Sequence, residues 1–206
     1  MENRRIFRNK ILESAVMICI LNCKEDGKDY IVLEKRAEGI RQAGEISFPG
    51  GKKDKKDKNF LDTAIRETIE ELGIKKENII NPSYYGTFFF LMGVLLETYI
   101  CHLKVEKISD ILYNKEEVEK LLLVPLDFFM NNEPITEEIR VYNKTLFDPN
   151  KYSFTKRYLE DWHFPNREIY IYIYKNETIW GMTAEIILDF VKTLKKEGRV
   201  GTYEYR

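Results

Sequence analysis

The sequence predicts an α/β/α sandwich, a fold in which helices cover both faces of a mixed β-sheet. Apolar, β-branched and aromatic runs that are typical of strands recur along the chain, and segments with helical spacing are inserted between them. Strands mixed with inserted helices in this way favour a layered α/β arrangement. With 206 residues the chain has the length of one domain with a sizeable core, so we expect a single domain over residues 1–206.

The chain is predicted to begin with a β-hairpin. Residues 14–21 and 30–35 have the composition of strands, and the turn-rich segment 22–29 lies between them. The next segment, 36–47, is predicted to be a loop that leads to a Phe-Pro-Gly-Gly turn at 48–51.

The later elements are predicted from the spacing of apolar residues. Residues 170–174 alternate with period two, as in a strand, whereas residues 183–195 repeat with helical spacing. Residues 130–168, rich in Asn, Lys, Pro and aromatic residues, are interpreted as a possible lid or substrate-contacting insertion. In chain order the remaining elements are a helix at about 60–72, strands at 84–90 and 95–104, and a second helix that begins near Glu116 and ends before Pro125.

Composition excludes several classes of function. A net charge of −1 and a pI of about 6.2 give no general basis for binding nucleic acid, since proteins that bind phosphate backbones usually carry a basic face. The longest apolar run, residues 15–21, is far shorter than the roughly 20 residues that span a bilayer. Three cysteines without metal-ligand spacing are expected to be reduced. We therefore expect a cytoplasmic protein with no membrane or nucleic-acid partner, and a homodimer is left open.

An acidic stripe on the helix at 60–72 indicates chemistry. At about 100° per residue, Glu67, Glu70 and Glu71 fall within roughly 100° of one another. Like charges at these spacings disfavour a helix by a few tenths of a kcal/mol per pair, so a purely structural helix gains nothing from them. Mg²⁺ or Mn²⁺ would reverse that effect, because hard divalent ions take carboxylate oxygens. The opposite side of the helix is predicted to be core and carries Leu61, Ile65, Ile69 and Leu72.

Two residues frame this stripe. Arg66 lies one helical turn before Glu70 and could hold that carboxylate in one rotamer, and Gly73 is placed to end the helix. A solvated acidic face is the alternative interpretation. The upstream Gly-Gly turn, the Arg-Glu pair and the terminal Gly-Ile together favour a cation site.

The run from Gly51 to Ile74 resembles the Nudix box, whose pattern is G-x5-E-x7-R-E-U-x-E-E-x-G-U, with U apolar. Residues 66–74 match every specified position. The first half departs from the pattern, because Gly51 is fifteen residues before Arg66 instead of fourteen and the expected acid is replaced by Asp57. The resemblance implies a Nudix-type α/β/α sandwich and a Nudix pyrophosphohydrolase.

The longer spacing resembles that of Nudix hydrolases acting on coenzyme A. That subgroup carries R-[SA]-x3-R-x3-G-x3-F-P-G-G before the box, and residues 36–51 fit it with one residue fewer between Arg41 and Gly44. A Trp-Gly-x-Thr-Ala segment at 180–184 resembles a second motif of the subgroup. The implied reaction is hydrolysis of coenzyme A or its thioesters to 3′,5′-ADP and 4′-phosphopantetheine or its acyl form. ADP-ribose or a dinucleoside polyphosphate is the alternative substrate, and a non-catalytic ligand sensor is a further alternative.

The resemblance also implies roles for residues in the box. Gly51 would supply a backbone carbonyl to Mg²⁺ or Mn²⁺, and Glu67 and Glu71 would supply carboxylates. Glu70 would be a ligand and possible proton acceptor. Such ions activate water at neutral pH and neutralise the pyrophosphate. Asp57 is either a water-mediated ligand or an acid that complements the helix dipole.

Residues outside the box complete the predicted site. Glu117 resembles an acid placed outside the box in this subgroup and is the candidate base or extra ligand. The alternatives are an acid that only opens a helix and, as the competing candidate, Glu97. Arg36 and Arg41 match the coenzyme A signature, and a guanidinium can bind the 3′-phosphate through two parallel hydrogen bonds, although a pair of surface arginines is the alternative. Substrate contacts are also predicted for Gly50, Phe48 and Lys52, with a packing role as the alternative for Phe48 and a solvated lysine run as the alternative for Lys52.

Overall fold

A seven-stranded mixed sheet forms the centre of the molecule. The computed structural model describes residues 11–90, 93–105, 111–159, 162–163 and 165–198. Both ends of the predicted domain, and residues 160, 161 and 164 of the predicted insertion, lie outside those ranges. The elements are β1 (Leu12–Cys23), β2 (Lys28–Arg36), β3 (Ile46–Ser47), β4 (Gly50–Lys52), α1 (Phe60–Leu72), β5 (Ile79–Phe90), β6 (Val94–Leu103), β7 (Val118–Pro125), α2 (Leu126–Asn131), β8 (Ile135–Ile139), β9 (Tyr142–Asn143), β10 (Trp162–His163), β11 (Arg167–Tyr174), β12 (Glu177–Trp180) and α3 (Gly181–Lys196).

The strand order of this sheet is β3-β2-β1-β6-β5, with β4 paired to β1 and β7 paired to β2. Strands β1 and β6 are parallel, in a register that runs from Leu12 opposite Val94 to Leu21 opposite Leu103. The other pairs of the sheet are antiparallel. The predicted mixed sheet and the predicted β1–β2 hairpin are therefore confirmed.

Alternation along β1 separates the core into two layers. Ala15, Met17 and Cys19 point to the face covered by α1, where they pack in one buried cluster with Leu72. Ile18 and Ile20 point to the other face, where their cluster includes the buried residues of α2 and α3. The predicted α/β/α sandwich is confirmed by this arrangement.

Helix α1 begins and ends at identifiable caps. The Asn59 side chain accepts a hydrogen bond from the Asp62 backbone N–H at 2.9 Å, and Gly73 ends the helix with φ of 62°. The predicted end at Gly73 is confirmed. The predicted apolar side is only partly right, since Leu61, Ile65 and Ile69 are half-buried against the core. The fully buried positions are Thr63, Ala64, Thr68, Glu71 and Leu72.

The helix predicted between Glu116 and Pro125 was wrong. Val118–Pro125 forms strand β7, which pairs antiparallel with β2, and the helix α2 follows at Leu126–Asn131. A short leucine-rich run satisfies helical and strand spacing equally well. Pairing decides the outcome here, because β7 provides hydrogen-bond partners for the backbone of β2.

A smaller sheet lies beyond α2 and contains part of the predicted insertion. Its order is β12-β11-β8, and β11 and β12 pack against α3. The remainder of residues 130–168 includes the β9–β10 pair and two 3₁₀ turns, Pro149–Lys151 and Lys156–Tyr158. The predicted strand at 170–174 and the predicted helix at 183–195 are confirmed. No helix in the described ranges combines the length and apolarity that a membrane crossing requires.

Candidate active site

Two adjacent glycines bring the Phe-Pro-Gly-Gly turn against the acidic helix. Strand β4 pairs with β1 so that Gly50 lies opposite Val16 and Gly51 opposite Ala15. A Cβ on Gly51 would lie 2.5 Å from Glu67 Oε1, and a Cβ on Gly50 would collide with the backbone of β1. Glycine is therefore required at Gly50, where a side chain would meet the backbone of β1, whereas a side chain at Gly51 would displace the Glu67 carboxylate.

Glu71 is the most deeply buried acid of the box. Glu71 is only 3% exposed, and its Oε2 accepts a hydrogen bond from the Gly50 N–H at 2.8 Å. Burial raises the pKa of Glu71 to about 8, and the neighbouring carboxylates of Glu67 and Glu117 act in the same direction. The turn and the helix are thus joined through a carboxyl group whose ionised form is disfavoured in the metal-free protein.

Arg66 organises the other two glutamates of the box. Its Nη1 lies 2.9 Å from Glu67 Oε1 and 3.1 Å from Glu70 Oε2, so the predicted contact between Arg66 and Glu70 is present. Burial raises the pKa of Glu67, whereas the charge of Arg66 opposes that rise. The Glu70 side chain is 53% exposed, which makes it the most accessible of the three acids.

Asp57 is the main partner of the same guanidinium. Arg66 donates from Nε to Asp57 Oδ1 at 3.0 Å and from Nη2 to Asp57 Oδ2 at 2.9 Å. Asp57 Oδ2 also accepts from Thr63 Oγ1 at 3.0 Å. The hydrogen bonds from Arg66 hold the pKa of Asp57 well below its usual range. Both oxygens of Asp57 are therefore engaged by protein groups, and its part in ion binding stays a prediction.

Glu117 lies beside the box acids at the start of β7. Its carbonyl accepts a hydrogen bond from the Ala37 N–H at 2.9 Å, which fixes it at the loop before β3. Its carboxylate raises the pKa of Glu67 and that of Glu71. The competing acid, Glu97, is buried on β6 and accepts a hydrogen bond from a threonine hydroxyl at 2.7 Å. The structure thus brings Glu117 to the acidic site, and its role as base stays a prediction.

Glu34 belongs to the same site and was missed by sequence reasoning. It lies on β2 with 0% exposure, and the charges of Glu71 and Glu117 reinforce burial in raising its pKa to about 9. Its Oε2 has no hydrogen-bond partner among the described residues. The available signal was a charged residue placed directly after the apolar run 30–33.

The two signature arginines occupy different environments. Arg36 Nη1 lies 3.9 Å from Glu34 Oε1, and the positive charge of Arg36 lowers the pKa of Glu71. Arg36 Nε donates to the carbonyl of Arg41 at 3.0 Å. Arg41 itself is exposed in the loop between β2 and β3. The structure therefore brings Arg36, and not the side chain of Arg41, to the acidic site.

The other predicted substrate contacts are placed less directly. Phe48 is buried in the core, which agrees with the packing role left open for it. Lys52 is exposed, and its carbonyl accepts a hydrogen bond from Arg66 Nη2 at 3.3 Å. Contact of either side chain with a substrate stays a prediction.

The donor chemistry of this site fits a hard divalent cation. Within the described ranges, no three side chains of His, Cys, Asp or Glu already stand in a metal-binding group. One oxygen of Glu67 is held by Arg66, and one oxygen of Glu71 accepts a hydrogen bond from the Gly50 N–H. Even so, burial and neighbouring carboxylates raise the pKa values of Glu34 and Glu71, and one buried oxygen of Glu34 has no hydrogen-bond partner among the described residues. Such an excess of oxygen donors and negative charge suits Mg²⁺ or Mn²⁺.

Comparisons with known proteins agree with this geometry. The model of the NUDIX domain family matches residues 12–146. A solved structure of a MutT/nudix family protein from Enterococcus faecalis superposes with a TM-score of 0.53 at 16% identity, over 95% of this chain and 66% of that one. This likeness supports the fold.

Three curated proteins are similar in sequence. Nudix hydrolase 3 of Caenorhabditis elegans is 24% identical over 89% of this chain and 74% of its own length. Nudix hydrolase 22, chloroplastic, of Arabidopsis thaliana is 29% identical over 88% of this chain. A peroxisomal coenzyme A diphosphatase of Mus musculus is 31% identical over 51% of this chain. The matches span 54% and 44% of the Arabidopsis and mouse proteins.

Proposed function

This chain belongs to the NUDIX domain family, and on that premise we propose that it is a Mg²⁺- or Mn²⁺-dependent hydrolase that cleaves the pyrophosphate of coenzyme A or its thioesters. The products would be 3′,5′-ADP and 4′-phosphopantetheine or its acyl form. Family membership supports a Nudix pyrophosphohydrolase in general. Coenzyme A as the substrate is the specific part of the proposal.

One observation carries the choice of substrate. The segment that resembles the coenzyme A signature, residues 36–51, folds as a loop whose two ends both reach the acidic site. Arg36 lies beside Glu34 at one end, and Gly51 lies beside Glu67 at the other. The loop is closed at its base by backbone hydrogen bonds of Arg36, from its N–H to the carbonyl of Glu45 at 3.0 Å and from the Gly44 N–H to its carbonyl at 2.9 Å.

The residues of the site would divide the work between them. Glu67, Glu70, Glu71 and the Gly51 carbonyl would hold the divalent ions, which supply charge neutralisation of the pyrophosphate and activation of water. Arg66 fixes the rotamers of Glu67 and Glu70, and the Gly50 N–H fixes Glu71. Glu117 would accept the proton from the attacking water.

Metal binding should be visible as thermal stabilisation. Adding Mn²⁺ at about 100 times its dissociation constant should stabilise the fold by about 2.7 kcal/mol, because the ion binds only the folded chain. For a chain of this size that corresponds to a rise in Tm of about 5–10 °C. Differential scanning fluorimetry should show a smaller rise for Glu67→Gln and Glu71→Gln, and an unchanged rise for the control Glu185→Gln on α3. A wild-type Tm that changes with neither Mg²⁺ nor Mn²⁺ would contradict the metal assignment.

A hydrolysis panel tests the substrate. Coenzyme A, acetyl-coenzyme A, ADP-ribose, NADH and diadenosine polyphosphates should be compared at equal concentration with Mg²⁺ and with Mn²⁺. The proposal requires the highest kcat/KM for coenzyme A or its thioester. Efficient cleavage of ADP-ribose without cleavage of any coenzyme A form would replace the substrate and leave the Nudix chemistry intact.

Variants of the two arginines should differ in their dependence on the 3′-phosphate of the substrate. The Arg41 side chain is exposed, and we expect it to contact the 3′-phosphate of coenzyme A. Arg41→Ala should therefore lower kcat/KM for coenzyme A by about 10- to 150-fold, which is the effect of losing one hydrogen bond to a charged group. The change for 3′-dephospho-coenzyme A should be small. Because Arg36 lies beside the carboxylates, Arg36→Ala should lower kcat/KM for coenzyme A and for 3′-dephospho-coenzyme A by the same factor. Equal losses in Arg41→Ala would remove Arg41 from 3′-phosphate recognition.

A further inference from the structure

Glu34 is a buried carboxylate in an unusual position. It lies near the end of β2, opposite Ser47 of β3 and opposite Leu121 of β7, and it has no exposed surface. Taking a carboxylate out of water is costly unless opposite charge and hydrogen bonds replace its hydration. An acid kept in such a place therefore needs a partner of matching chemistry.

The protein partners of Glu34 fall short of that requirement. Ser47 Oγ donates to its Oε1 over 3.4 Å, and Arg36 Nη1 stands 3.9 Å from the same atom. Both distances are long for these interactions. Its Oε2 is buried and has no hydrogen-bond partner among the described residues. Oε1 of Glu34 therefore has two long contacts, and Oε2 has no hydrogen-bond partner among the described residues.

The surroundings of Glu34 add negative charge. The carboxylates of Glu71 and Glu117 both interact unfavourably with it, and Arg36 is the opposing cation beside it. Arg36 is shared, because its Nε is bound to the Arg41 carbonyl and its charge also acts on Glu71. Ionising these three acids together would therefore need more positive charge than the guanidinium of Arg36 supplies.

We propose that Glu34 is a further ligand of the divalent cation site, contributed by the sheet opposite the box helix. The inference rests on the proposed function, since that function supplies the cation. It adds a donor outside the box: the oxygen of Glu34 that lacks a partner would bind the ion directly or through a water molecule. The ion would then be held by α1 on one side and by β2 on the other.

Binding of Mn²⁺ to the metal-free full-length chain tests this proposal without substrate. Isothermal titration calorimetry and Mn²⁺ electron paramagnetic resonance should be applied to wild type, Glu34→Gln and Glu34→Asp. We expect the dissociation constant to rise by about 10- to 100-fold in both variants, as is typical when a ligand or its supporting group is lost. The matched control is Asp29→Asn, which changes another buried acid at the far end of the same strand and should bind as wild type does.

The outcomes separate the inference from the proposed function. Normal Mn²⁺ affinity in Glu34→Gln, together with weak binding in Glu71→Gln, would overturn the role of Glu34 alone. If Glu34 serves only to orient Arg36, Glu34→Gln would change KM for substrate and leave the Mn²⁺ resonance unaltered, which also overturns it. Absence of Mn²⁺ binding in wild type would overturn the proposed function itself. Circular dichroism in EDTA establishes whether each variant is folded. If Glu34→Gln does not fold, the Mn²⁺ measurements on Glu34→Asp decide the question.

Discussion

Glu71→Gln is expected to lower kcat by about 1000-fold, which corresponds to a barrier increase of about 4 kcal/mol. Glu71 accepts a hydrogen bond from the Gly50 N–H at 2.8 Å, and this bond fixes the orientation of the carboxylate that would bind the ions. Glutamine keeps the shape and the hydrogen bond but removes the charge. Steady-state kinetics with saturating Mg²⁺ should show the loss in kcat, and Glu185→Gln should retain wild-type activity.

The same change should stabilise the metal-free protein. Because the pKa of Glu71 is raised to about 8, the folded chain holds a proton that the unfolded chain releases near pH 4.3. Stability in EDTA should therefore fall as pH rises from about 4.3 toward 8, and Glu71→Gln should flatten that fall. Urea unfolding at several pH values measures it. Retention of more than a tenth of kcat, or an unchanged pH dependence, would place Glu71 outside the functional site.

Arg66→Lys should cause the largest loss of stability among single changes in the site. Lysine cannot reproduce the two parallel hydrogen bonds to Asp57, so a buried carboxylate is left poorly paired. Breaking a buried pair costs about 3–5 kcal/mol, and since the Arg66 side chain is 30% exposed we expect about 2–3 kcal/mol. Activity should also fall, because Glu67 and Glu70 lose their common partner.

Acid pH provides the internal check on that pair. Asp57 has a lowered pKa, so its stabilisation is present above its unfolded pKa of about 3.9 and is lost as pH falls through the lower folded value. The difference in stability between wild type and Arg66→Lys should therefore shrink toward pH 2 in urea unfolding experiments. The control Arg140→Lys, at an exposed arginine whose Nε donates to Asn166, should show no difference at any pH. A constant difference would mean that Arg66 stabilises the fold by packing instead.

Local signals in the sequence predicted helix α1 and the contact between Arg66 and Glu70. Gly73 marks the end of the helix by itself, and the spacing of Arg66 and Glu70 places them in contact without reference to the rest of the chain. The β1–β2 hairpin is equally local, because strand composition and a turn-rich connection suffice to predict it. These features depend on residues close together in sequence.

Features set by distant parts of the chain were predicted poorly. The sequence of 116–124 alone predicts a helix, because the identity of strand β7 depends on pairing with β2, which lies elsewhere in the chain. Glu34 was overlooked because a single acid in a strand acquires meaning only when Glu71 and Glu117 are folded against it.

The parallel pairing of β1 and β6 constrains the order in which the chain can fold. The partners of Leu12 and Leu21 are Val94 and Leu103, so the centre of the sheet cannot close until the chain as far as Leu103 has left the ribosome. The box helix lies inside the loop that this pairing closes. Proteins dominated by such distant contacts typically fold in milliseconds to seconds, more slowly than helical bundles. Substitutions in β6 that weaken the pairing should therefore reduce the yield of folded enzyme during synthesis, while the molecules that do fold keep their normal turnover.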